Sequence, residues 1–490
     1  MDKYTNLKIG DVSNNGKITI VDEDRLCYLV KSVSKGAVGL RTISKALLAE
    51  FVSYIDQHPE VPINDVRFKI SGQSEIDKYE YGYGATIGTM AKMVLGQEGV
   101  VRSTENTLKY VSRPHSTILG KHLPYLTALR TKPFMLLAGI SGTGKSRIVR
   151  ELAKACWQEG DEEYGKNHPK NFCMVQVKPN WHDSSELIGY VSRINGEKYV
   201  VGPFLRFLAK AINDPDTPYF LCLDEMNLAP VEQYFAEYLS VIESRKLNAD
   251  GSITTDPIIP YENTEAYGTL IDQLFADDAD RKAYKSETDG KRLTIPQNLF
   301  VVGTVNMDET TFSFSRKVLD RAMTLEMNEV DLYGGLEENG SEIGYIGNCI
   351  IGNAAEGKDI YADNKELCDN VISYLEKVNA ILDKTPFKVA YRTRNEFILY
   401  AVNRQLLDNE SQLWQTLDEM TSMKILSRIE GDSERTQKVL EGLKTLVDSE
   451  IVANIPEAED NKEKAKSITA AKIEEMLDKL DKTSFTSYWT

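Results

Sequence analysis

Eight consecutive residues, Gly139-Ile140-Ser141-Gly142-Thr143-Gly144-Lys145-Ser146, restrict this chain more than any other feature in it. They have the form Gly-x-x-x-x-Gly-Lys-Ser, a loop whose glycines let backbone N–H groups turn inward around phosphate. Such a loop needs a buried strand before it and a helix after it. Residues 134–138 (Phe-Met-Leu-Leu-Ala) read as that strand, and residues 147–156 as that helix. The helix N-terminus adds a partial positive charge. Lys145 is expected to reach the β- and γ-phosphates and Ser146 to ligate Mg²⁺. Gly139, Ser141, Gly142, Thr143, Gly144 and Arg147 complete the nucleotide-binding stretch.

Three more short apolar runs, residues 173–177, 219–223 and 299–302, alternate with helical segments. This alternation predicts βαβ units and an α/β fold with a parallel sheet flanked by helices. The run at 219–223 ends in Asp224-Glu225. Such carboxylates fall at the C-terminal edge of a parallel sheet, where ligands bind. Asp224 is expected to hold Mg²⁺ through water, and Glu225 to polarise the attacking water as general base. The run at 299–302 leads into Gly303-Thr304-Val305-Asn306, whose Asn306 is the candidate for orienting that water. Beyond it, Ser315-Arg316-Lys317-Val318-Leu319-Asp320-Arg321 opens a short helix. Arg321, with Arg316 as second choice, is expected to project to a neighbouring subunit's nucleotide and stabilise transition-state charge. Arg392, at the start of a later helix, is expected to fold over the phosphates.

At 490 residues the chain is too long for one ordinary core. Residues 1–115 form a separate small N-terminal domain with no nucleotide site, suited to target recognition or partner binding. Amphipathic helices are predicted over residues 40–55 and about 85–95. Between them Tyr79, Tyr81 and Tyr83 form either a stacking platform for bases or a tyrosine-rich turn. A linker falls around residues 112–115. The α/β core covers residues 116–330, with a polar, acidic insertion at about 248–290. Residues 331–490 read as a helical lid and C-terminal helical extension, with helices over 371–382, 394–403, 435–447 and 468–480 and a charged stretch at 456–466. The net charge of −16 argues against nonspecific nucleic-acid binding by the whole surface. No apolar run approaches the roughly 20 residues of a membrane span, and no signal peptide opens the chain, so a cytoplasmic protein is expected. The six cysteines lack Cys-x-x-Cys spacing and are expected to be reduced.

Taken in order, these motifs resemble the AAA+ superfamily of P-loop NTPases. Within it the chain looks like the McrB family, motor subunits of modification-dependent, type IV-like restriction systems. The likeness rests on Lys178-Pro-Asn-Trp-His-Asp-Ser-Ser-Glu-Leu-Ile-Gly-Tyr190, Leu223-Asp-Glu-Met-Asn-Leu-Ala-Pro230, Gly303-Thr-Val-Asn-Met-Asp-Glu-Thr-Thr311, Phe314-Ser-Arg-Lys-Val-Leu-Asp-Arg321, Tyr391-Arg392 and Ile425-Leu-Ser-Arg-Ile-Glu-Gly431. The resemblance implies a ring, hexameric in that family, with ATP or GTP at subunit interfaces. It also implies a McrC-like nuclease subunit and double-stranded DNA as partners. Where the family's best-known members read Met-Asn-Thr-x-Asp-Arg-Ser, this chain has Asp308-Glu309 at the Asp-Arg step. A MoxR-like ATPase remodelling a protein substrate, and an assembly-only NTPase, would share most of these residues. The intact Glu225 speaks against the last.

Overall fold

The computed structural model describes residues 120–490 except 195, 249–250, 277–283, 285–292, 308–313, 329–342, 409–410, 433, 457–464 and 490. Of the first 119 residues it describes Met90 and six strands. The expectations for residues 45–55, the tyrosine cluster, the helix at 85–95 apart from Met90, the linker at 112–115, Asp308–Thr311 and most of the charged stretch at 456–466 lie outside the described residues.

The chain divides into two compact units, Met1–Thr117 and Ile118–Thr490. In the first, Ile18–Glu23, Cys27–Ser34 and Ala37–Ser44 form an antiparallel sheet in sequence order. Glu60–Pro62, Thr107–Tyr110 and Val100–Thr104 form a second, with Thr107–Tyr110 central. Residues 40–44, read from sequence as the start of a helix, instead belong to the strand Ala37–Ser44, paired through Lys31↔Leu40 and Tyr28↔Ile43. The apolar spacing of 40–55 fits a helix, but residues 37–44 also carry the β-branched content and cross-strand partners of a hairpin. Pairing with residues 27–34 decided between the two.

The second unit is built on five parallel strands. β1 is Phe134–Gly139, β2 Phe172–Gln176, β3 Tyr219–Asp224, β4 Leu299–Asn306 and β5 Met323–Glu326. Their order is β5-β1-β4-β3-β2. β5 was not anticipated, because Met-Thr-Leu-Glu is too short and too mixed to stand out as an apolar run. Side chains alternate between the two faces of the sheet, and both faces are covered. On one face Met135, Leu137, Phe220, Cys222, Phe300 and Val302 pack with α1 (Leu123–Thr131), α2 (Lys145–Lys154) and the helices of the C-terminal region. On the other, Phe134, Leu136, Ala138, Leu221, Leu223 and Val301 pack with α3 (Pro203–Asn213) and the helical residues around Tyr234 and Tyr238. That double burial is why these strands read as continuous apolar runs.

Among the described residues, the short helix Lys358–Tyr361 and five longer ones follow: α4 (Lys365–Ile381), α5 (Tyr391–Leu407), α6 (Leu413–Lys424), α7 (Glu434–Glu450) and α8 (Ile468–Thr483). They share the core of the first sheet face through residues such as Tyr374, Phe397, Met420, Leu443 and Ile473. The buried Asp418 carboxylate accepts from Ser467 Oγ (2.6 Å) and from the Ile468 and Thr469 nitrogens (3.0 Å each), which docks the first turn of α8 onto α6. Within the expected insertion the helix Glu265–Leu274 buries Ala266, Tyr267, Leu270 and Ile271, of which the last three join the second core. Among the described residues Cys156, Cys173, Cys222, Cys349 and Cys368 are free thiols. Also among them, no helix is long and apolar enough to cross a membrane.

Candidate functional site

The loop expected to bind phosphate leaves the C-terminal end of β1 and enters α2. Gly144 caps that helix at φ 85°, a left-handed conformation that glycine adopts without strain. At Gly139 a Cβ would stand 2.3 Å from the Met327 carbonyl oxygen, so the strand can pass beside residue 327 only without a side chain. Lys145 is buried, and its ammonium donates to the carbonyls of Gly139 (2.9 Å) and Ile140 (2.6 Å). Those bonds hold the ammonium inside the curve of the loop. Asn328 steadies the loop from β5's end, its Oδ1 accepting from Ile140 N at 3.1 Å. Ser141, Gly142 and Arg147 are exposed, and Thr143 bonds back to the Ile140 carbonyl at 3.1 Å.

Beside the loop, the ends of β3 and β4 bring four polar groups together. Ser146 Oγ donates to Asp224 Oδ1 at 2.5 Å, and Thr304 Oγ1 donates to the same oxygen at 2.8 Å. Thr304 Oγ1 in turn accepts from the Glu225 backbone nitrogen at 2.9 Å. Asn306 Nδ2 donates to Glu225 Oε1 at 3.3 Å. Glu225 itself sits at φ 53°, ψ 50°, in the left-handed region that costs a non-glycine residue about 1 kcal/mol or more. One hydrogen bond of the Thr304–Glu225 kind is of the same order, about 1 kcal/mol, and offsets that strain. The result is a carboxylate turned off the strand direction and held by Asn306. Thr304 was missed by sequence reasoning. Its one signal is a hydroxyl side chain inside the otherwise apolar β4.

Ser146 and Asp224 present two hard oxygens at hydrogen-bonding distance beside the loop, a donor set that suits Mg²⁺. This cation takes few protein ligands and completes its shell with water and phosphate oxygens. Ser146 and Asp224 would hold the ion there, and it would supply charge neutralisation for phosphoryl transfer. The chain's own groups would divide the remaining work. Lys145 lies where it can exchange loop carbonyls for phosphate oxygens. Glu225 would serve as the general base, and Asn306, expected to orient the attacking water, bonds the Glu225 carboxylate.

The three candidate arginines lie elsewhere. Arg321 ends two residues before β5, whose Met323 pairs with Met135 near the start of β1. The loop leaves the other end of β1, which at about 3.3 Å per residue lies roughly 17 Å away across its six residues. Arg321 is therefore at the opposite sheet edge from the chain's own phosphate loop. Its Nε donates to the Leu239 carbonyl (2.9 Å) and Nη1 to the Lys317 carbonyl (2.8 Å), with Glu243 at 4.0 Å. Arg316 faces Glu430 (3.6 Å) and lies over the Phe387 ring at 5.0 Å. Arg392 pairs with Glu243 at 2.5 Å, and Glu243 also accepts from Lys132, two residues before β1. Arg392, expected to fold over the phosphates, is thus placed at the same far edge as Arg321, with Glu243 as its partner.

Behind these arginines runs a chain of buried charges. Lys132 bridges Glu243 (3.0 Å) and Glu396 (2.6 Å), and Lys424 pairs with Glu396 at 2.8 Å. Burial works against the charge on Glu396, yet Lys132 and Lys424 outweigh it and hold this carboxyl below the usual range. Burial also pushes Lys424 down, opposed by Glu396.

Residues 134–262 match the family described as AAA domain (dynein-related subfamily), and residues 351–485 match a domain of unknown function (DUF8727). The type IV methyl-directed restriction enzyme EcoKMcrB subunit of Escherichia coli (strain K12) is 24% identical over 212 residues, 43% of this chain and 38% of that protein. The chain thus matches well under half the length of that relative. A crystal structure of an ATPase candidate from Cytophaga hutchinsonii aligns over 62% of this chain and 81% of that one, at 14% identity and a TM-score of 0.36. The chain has an α/β AAA+ P-loop fold with a helical C-terminal region, and it is similar to McrB.

Proposed function

We propose that this chain is a Mg²⁺-dependent nucleoside triphosphatase, hydrolysing ATP or GTP, that works as the motor subunit of a McrBC-like restriction complex. The observation that carries the hydrolytic part is the linked set Ser146–Asp224–Thr304–Glu225–Asn306 beside the Gly139–Ser146 loop. A protein that only binds nucleotide has no use for a strained, asparagine-held glutamate next to the γ-phosphate position.

In this reading Lys145, Ser146 and Asp224 hold the nucleotide and its cation. Glu225 takes a proton from the attacking water. Arg321 completes the site of the next subunit, since it cannot reach its own, and Arg392 at the same edge faces the same neighbour. Site completion across an interface implies a closed ring, hexameric by analogy with the family. The similarity to a restriction-enzyme subunit supports double-stranded DNA as the substrate track and a separate McrC-like nuclease as partner. Residues 1–115 would then recognise the target.

The test is hydrolysis of ATP and of GTP by the full chain with and without duplex DNA and the co-purified partner. Stimulation by duplex DNA or by a nuclease-bearing partner is expected. Turnover indifferent to DNA but stimulated by a folded protein substrate would favour a MoxR-like remodelling ATPase in its place.

A further inference from the structure

The segment Lys424-Ile-Leu-Ser-Arg428 joins α6 to the last helices, and nothing in the hydrolytic site uses it. Lys424 is 1% exposed, yet its ammonium is fully engaged. It donates to the carbonyls of Leu319 (3.3 Å), Asp320 (3.1 Å) and Ala322 (2.9 Å), and it pairs with Glu396 at 2.8 Å. Three of these four partners are the backbone carbonyls flanking Arg321. Arg428 adds an ion pair to Asp320 at 3.1 Å. The side chain of Arg321 meanwhile reaches toward Glu243, and Glu243 returns to Lys424 through Lys132 and Glu396. A circuit of ion pairs and backbone contacts thus surrounds the half-buried Arg321.

A buried lysine is costly to hold charged, and it persists where its partners over-determine it. The carbonyls at the end of the short helix Arg316–Leu319 would otherwise need water or a local cap. Here a side chain from the helical region supplies that cap. We infer that Lys424 and Arg428 are positioning residues that clamp the Arg321 segment, so that the helical region sets where Arg321 meets a neighbouring subunit's nucleotide. This rests on the intersubunit role of Arg321 given above. Two rigid pieces that share Lys424 must move together. Displacement of α6 therefore carries Arg321 with it, which gives the ring a direct mechanical link between lid position and hydrolysis next door.

The experiment uses the full chain in mixed rings. Lys424→Met alone should bind nucleotide with an affinity within about threefold of wild type, while kcat falls on the order of 10²-fold, the effect of misplacing a catalytic group by about 1 Å. Mixed with Lys145→Ala chains, which lack nucleotide but keep a properly held Arg321, Lys424→Met chains should regain hydrolysis above the sum of the two separate preparations. Arg321→Ala mixed with Lys145→Ala is the control and should be rescued likewise. Arg428→Ala breaks only the more exposed half of the clamp. It should lower kcat several-fold in the same direction without raising KM, which keeps the test available if Lys424→Met does not fold. Rescue of Arg321→Ala but not of Lys424→Met, in intact rings, overturns the positioning role. So does an unchanged kcat in Arg428→Ala. Failure of the Arg321 control overturns the intersubunit reading itself, and the clamp with it.

Discussion

Thr304 donates its hydroxyl to Asp224 across the β4–β3 pair at 2.8 Å, and the same oxygen receives the Glu225 backbone N–H at 2.9 Å. A single side chain therefore sets the direction of both acidic residues. Replacing it with the near-isosteric valine keeps the packing and removes both bonds. Thr304→Val should lose about 1–3 kcal/mol of stability through the unpaired Glu225 nitrogen. Hydrolysis should fall on the order of 10–100-fold as the glutamate relaxes from its left-handed conformation. Thr304→Ser should recover most of the activity. Steady-state turnover checks this, and a valine variant within twofold of wild type would remove Thr304 from the site.

The buried circuit predicts a pH signature. Glu396 has a folded-state carboxyl held below its ordinary value of 4.5 by Lys132 and Lys424. The unfolded chain thus binds more protons than the folded one in the acid range. The stabilisation is present above about pH 4.5 and is lost as pH falls through the lower folded value. Glu396→Gln should be destabilised by about 3–5 kcal/mol near neutrality, because it leaves two lysines facing a neutral amide in a dry site. The gap between wild type and variant should narrow as pH drops from about 6 to about 3. Denaturant unfolding across that range measures it, and a gap independent of pH would contradict the assignment.

Much of the site was legible because it is local. The loop, Lys145 and Ser146 are contiguous, and Asp224, Glu225 and Asn306 mark the ends of apolar runs. Parallel strands buried on both faces advertise themselves, so β1, β3 and β4 were read within a few residues of their bounds. Features made by distant partners were not legible. β5 is four residues long and depends on β1 for its pairing. Thr304 is significant only because β3 places Asp224 beside it. The far-edge location of Arg392 follows from Glu243, about 150 residues earlier in the chain, and no spacing rule links the two. Lys424 reads as an ordinary helix-end lysine until the carbonyls of 319–322 are brought to it.

In the proposed site the loop, Asp224 and Glu225 hydrolyse nucleotide together, with Glu225 as the base. Glu225→Gln isolates that role, because the amide keeps shape and the Asn306 contact but cannot accept a proton. Nucleotide affinity and single-turnover hydrolysis should be measured on the same preparation. The expected result is affinity within a few-fold of wild type with hydrolysis slowed by about 10²-fold or more. Wild-type turnover in that variant would contradict Glu225 as the base.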